Sequence, residues 1–172
     1  MNKENEQKSV EGFSLTAKLF HWGFILIFSY GILKQIDNIN QLEDLALLKF
    51  EIIFALLFIL FLIIRFIYMK RTQKSSLPPD TTKFQKAGAK LVHYGMYVTM
   101  ISIALSGLVI GLLYWLGWKS GLLIETIIFW HESSVSVVYW LIGLHLLGAV
   151  YHWVKNDGVW ESMVPILNRN RE

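Results

Sequence analysis

Phe129-Trp130-His131-Glu132, continued through Gly143-Leu144-His145 to Tyr151-His152-Trp153, is one apolar run carrying three histidines. The spacings are 14 residues from His131 to His145 and 7 from His145 to His152. At about 100° per residue in an α-helix, 14 residues return a side chain to within about 40° of its starting direction, and 7 to within about 20°. All three imidazoles are therefore expected on one helix face. A rise of about 1.5 Å per residue separates His131 from His145 by about 21 Å along the axis. That places one ring towards each side of a hydrocarbon core about 30 Å thick. Burying an imidazole in lipid is costly, so a histidine inside a span is a candidate for function. A lone one often does no more than hydrogen-bond a neighbouring helix; three on one stripe point to a bound group or a proton path.

The rest of the chain agrees with a membrane setting. It has 172 residues, 54% hydrophobic and 15% aromatic, with mean hydropathy +0.44. That is too apolar for an ordinary soluble domain of this length. There is no cysteine, which excludes disulfides, thiolate metal sites, cysteine-held iron–sulfur clusters and covalently attached c-type haem. The net charge of +3 is modest, and the basic residues flank apolar runs, so they read as membrane-side anchors rather than a nucleic-acid surface.

Four apolar runs are each long enough to cross, since about 20 residues span the core. They cover about Leu15 to Leu33, Leu45 to Met69, Ala89 to Trp115 and Ile127 to Val154. Residues 1–13 read as a polar tail without signal-peptide character, 14–157 as the membrane domain and 158–172 as a C-terminal tail. Lys70-Arg71 to Pro78-Pro79-Asp80 is a basic, proline-broken loop. The runs are apolar all round, unlike the amphipathic helices of a soluble bundle. The expected fold is thus all-α, an integral-membrane up-down four-helix bundle. Lysine and arginine set its direction. The tails and the middle loop hold 12 (Lys3, Lys8, Lys18, Lys70, Arg71, Lys74, Lys83, Lys86, Lys90, Lys155, Arg169, Arg171), the other side Lys34, Lys49 and Lys119 only. Both termini are therefore expected to be cytoplasmic.

Direction converts sequence position into depth. His21 lies about 9 Å from the cytoplasmic start of the first run and His145 about 14 Å from the cytoplasmic end of the fourth. The two can face each other at one level. Bundle cofactors are built from side chains on facing helices, and a pair of imidazoles is what six-coordinate b-type haem needs. Zinc would want further ligands at that level. His93 and His152 lie near the same face, with Lys90 close by. They could bind a quinone head group, or simply anchor at the interface. His131 sits near the outer side, where the second run passes as Lys49-Phe50-Glu51-Ile52. Glu51 at that depth is expected to pair with His131 or with Lys49, because an unpaired carboxylate there is expensive.

At these residues the chain resembles the bacterial cytochrome b561 family of di-haem, four-helix membrane cytochromes. The resemblance spans about residues 13 to 157. It is carried by Leu19-Phe20-His21-Trp22, Ile64-Arg65-Phe66, His93 with Tyr97 and Leu105-Ser106-Gly107, and Trp130-His131-Glu132 with Gly143-Leu144-His145 and His152. It implies one haem b held by His21 and His145. It implies a second held by a residue matching His131 and by a second-helix histidine 14 residues before Arg65, where this chain has Glu51. Two outcomes are open at that outer position. Either haem is absent, with Glu51 and His131 paired, or it is present with an unusual or missing sixth ligand. The resemblance also implies an inner-membrane carrier of single electrons between the quinone pool and another redox partner. Superoxide:ubiquinone oxidoreductase is its enzymatic form, one that needs a cationic approach for the anion. A non-catalytic cytochrome anchor of a dehydrogenase, and a haem-poor membrane protein with a His/Glu proton path, are the alternatives.

Overall fold

A computed structural model of the chain describes residues 12–36, 38–73, 75 and 77–164. Four long helices make up most of it: α1 (Leu15–Leu33), α2 (Leu45–Thr72), α3 (Lys83–Trp115) and α4 (Leu122–Lys155). All four are long and apolar enough to cross a membrane. A 3₁₀ turn, Ile39–Glu43, precedes α2, and a short α5 (Val159–Met163) follows α4. Most of the polar N-terminal tail and residues 165–172 lie outside the described residues, and with them Lys3, Lys8, Lys74, Arg169 and Arg171.

The helix ends follow local chemistry. Ser14 caps α1 by accepting from the Ala17 amide at 3.2 Å, and Asp44 caps α2 by accepting from the Ala46 amide at 2.8 Å. Thr82 and Gln85 form a capping box at the start of α3. Gly121, at φ 103°, turns the chain into α4, and Asn156 ends α4 in the left-handed region.

The helices run up and down. The Ser14 amide donates to Gln73 Oε1 at 3.1 Å, which puts the start of α1 beside the end of α2. Lys119, just after α3, pairs with Glu43, just before α2, at 3.2 Å. The α5 turn closes under α1, where Trp22 Nε1 donates to the Met163 carbonyl at 3.3 Å. Two apolar clusters fill the interior. Phe24, Phe58, Leu62, Met100, Ala104 and Val138 pack in one, and Leu48, Ile110, Leu113, Tyr114 and Ile124 lie in the other at the end away from the termini. Large apolar side chains such as Leu26, Leu57, Leu147 and Trp140 face outward, as a lipid-exposed surface requires.

α4 lies along α3 for most of its length, and α3 along α2. The α3–α4 seam uses small and hydroxyl-bearing residues: Ser102 and Ser134 share a hydrogen bond of 3.1 Å, and a Cβ on Gly95 would come within 3.2 Å of Leu141. The backbones of α1 and α4, by contrast, barely approach each other. Their contact is made by side chains, at His21 and His145.

Candidate functional site

Each long helix sends one group to a single cluster near the terminal end of the bundle: His21 from α1, Arg65 from α2, His93 from α3 and His145 from α4. The rings of His21 and His145 have centroids 6.3 Å apart at an interplanar angle of 60°. His93 stands edge-on to His145, 5.0 Å away. Arg65 Nη2 lies 2.8 Å from His21 Nδ1, and Arg65 Nη1 donates to the Tyr97 hydroxyl at 2.9 Å.

Spacing decides what the rings can hold. Two metal–imidazole bonds of about 2 Å set the nitrogens about 4 Å apart and the ring centres about 6 Å apart. The His21–His145 pair fits that distance. His93 is too close to His145 to share a metal with it. Its Nδ1 instead donates to the Ala89 carbonyl one turn back, at 2.6 Å, and the side chain is exposed. No group of three or more His, Cys, Asp or Glu among the described residues could hold a metal ion, so a zinc site is not supported. His152 has a different neighbour from His93: its Nδ1 is 2.7 Å from Asp157 Oδ2, which Lys155 also approaches at 3.7 Å.

The outer level is built differently. His131 Nδ1 is 2.9 Å from Ser106 Oγ. The Ser106 hydroxyl already donates back to the Ser102 and Ile103 carbonyls at 2.7 and 3.0 Å, so here it accepts, and Nδ1 carries the proton. Nε2 of a neutral His131 is then left with its lone pair. Glu51 does not face it. The pairing expected with His131 or Lys49 is replaced by an ion pair with Lys34, at 2.6 Å. The physical reason is reach: Lys34 ends α1 at this level, and its long stem lays the ammonium 3.6 Å from the Phe50 ring centre and onto the carboxylate. Leu48 and Ile52, flanking Glu51, pack instead into the apolar cluster with Ile110, Ile124, Ile127 and Ile128.

Three neighbours carry the resemblance but had no role assigned from the sequence: Arg65 beside His21, Tyr97 bonded to Arg65, and Ser106 beside His131. A cation in an apolar span was the available signal for Arg65, since such a residue needs a reason to be there.

The sequence pattern of prokaryotic cytochrome b561 matches residues 12–165, nearly the whole chain. The chain belongs to the prokaryotic cytochrome b561 family. Among curated proteins and among solved structures, none matches it. As a cytochrome b561 with four membrane-capable helices, it is a multi-pass bacterial membrane protein of b-type electron transfer, from a family that typically binds haem b.

Proposed function

We propose that this cytochrome b561 passes single electrons between a membrane quinone and a second redox partner, with one haem b held by His21 and His145. The observation that supports this is the imidazole pair on facing helices with centroids 6.3 Å apart. Haem supplies the one-electron chemistry when bound; the chain supplies ligation, burial and hydrogen bonding. Phe24, Phe58 and Leu62 keep water from the interior beside the pair. His93 touches the His145 ring, is exposed, and lies on the terminal side, which suits a quinone head group that needs a donor and a proton source. His152, near the same side, is the second candidate for that role. The excess of lysine and arginine on the terminal side supports a cytoplasmic placement of both termini in the inner membrane.

Oxidation of superoxide is the less supported version. Of the outer lysines, Lys34 is paired with Glu51 and Lys119 with Glu43, which leaves little cationic field to steer an anion. The test of the haem assignment is a visible spectrum with the haem-to-protein ratio, on the purified protein and on His21→Ala and His145→Ala. Each variant should lose the reduced α-band of the low-spin haem. A full low-spin spectrum in both single variants would overturn the assignment.

A further inference from the structure

Arg65 lies inside a membrane-spanning helix, where a cation is expensive unless it is paired. Its two hydrogen-bond partners, His21 Nδ1 and the Tyr97 hydroxyl, are both uncharged groups. Its Nε is buried with no partner. The ion pairs among the described residues join Lys34 to Glu51, Lys119 to Glu43, and His152 and Lys155 to Asp157; none involves Arg65. The rings of Phe24 and Tyr97, 5.3 and 5.4 Å from the guanidinium carbon, soften the charge without neutralising it. The site therefore holds a cation in need of an anion.

The contact with His21 carries a second conflict. A guanidinium only donates, so His21 Nδ1 must accept and the proton of a neutral His21 must sit on Nε2. A protonated nitrogen has no lone pair for a metal. Moving the proton to Nδ1 frees Nε2 but sets one donor against another. His21 can serve as a neutral Nε2 ligand only if Arg65 turns to some other acceptor. Nε and Nη2 form one edge of the guanidinium, the edge that takes a carboxylate side-on through two parallel hydrogen bonds. Nε is unpartnered and Nη2 is the atom on His21. A carboxylate at that edge would satisfy the first, draw off the second, and leave Nη1 on Tyr97.

We propose that Arg65 is the anion-binding residue of this site, and that its guanidinium leaves His21 to take a carboxylate side arm of the porphyrin held between His21 and His145. The proposal rests on the haem reading above. It makes ligation at His21 and carboxylate binding at Arg65 one coupled event.

The test uses the full-length protein, produced in a haem-deficient host, purified in detergent and titrated with protohaem or with protohaem dimethyl ester, whose carboxylates are blocked. The readout is the low-spin absorption band against added porphyrin. The wild type should bind the free acid at least about tenfold more tightly than the ester, the scale of a charge-assisted pair. Arg65→Gln should bring the acid-to-ester ratio close to one, and Arg65→Lys should keep part of the preference. Comparing ratios between variants cancels the intrinsic difference in solubility of the two porphyrins. Equal low-spin binding of acid and ester by the wild type overturns the proposal even if Arg65→Gln does not fold. So does a wild-type preference that survives in Arg65→Gln. A wild type that forms a low-spin complex with neither porphyrin removes the haem reading itself, and this proposal with it.

Discussion

Hydrogen-bond polarity separates histidines that look alike in the sequence. Ser106 accepts from His131 and leaves its Nε2 lone pair exposed, the tautomer that suits a metal ligand. Arg65 donates to His21 and holds the opposite tautomer. His131 nonetheless has no histidine to share a metal with, because the other described histidines cluster towards the terminal end, and Glu51 is turned to Lys34. The wild type should therefore show one bis-histidine ferric signal in low-temperature electron paramagnetic resonance, and Glu51→His should add a second. Two equivalent bis-histidine signals in the wild type would contradict this.

The helices are held apart or together by the size of the residues at each crossing. α2 packs tightly on α3 at Gly111, where an added Cβ would come within 3.0 Å of Ile52 Cγ1. Gly111→Val should overfill that crossing and destabilise the bundle by about 1–3 kcal/mol. Loss of the low-spin band on heating in detergent reads this, and an unchanged or higher midpoint would show the crossing to be slack. Hydropathy located all four helices but not all their ends. α1 came out as expected because Ser14 caps it where the apolar run begins. α3 starts at Lys83 rather than near Ala89, because the Thr82–Gln85 capping box begins the helix ahead of its apolar part. α4 starts at Leu122 rather than near Ile127, because Glu125-Thr126 only interrupt an apolar run that begins after the Gly121 turn. The His21–His145 pairing was legible because depth along two helices follows from residue count and rise. The Lys34–Glu51 and Arg65–His21 contacts were not, because long side chains reach across levels and count gives no direction for them.

Across the whole molecule, the direction of insertion decides which compartment the site serves. The chain has no cysteine, so one introduced thiol reports one loop. Ser120→Cys lies between α3 and α4 and Asp80→Cys between α2 and α3, both exposed and at opposite ends. An impermeant maleimide should label Ser120→Cys in intact cells and Asp80→Cys only after lysis; the reverse pattern would put both termini outside. Quinone access belongs to the same scale. His131 and His145 are about 21 Å apart along α4, so a protein with haem only at His21 and His145 must receive and release electrons near one end. On the proposed function, His93, exposed there and 5.0 Å from the His145 ring, is where a quinone would have the shorter route. His152 is engaged by Asp157 and serves less directly. Substituting His93→Gln should slow quinone reduction by at least about tenfold, the low end of what a positioned proton donor contributes, with the haem spectrum intact. His152→Ala should slow it less. If the double variant reduces quinone at the wild-type rate with its haem retained, neither histidine lines the quinone site.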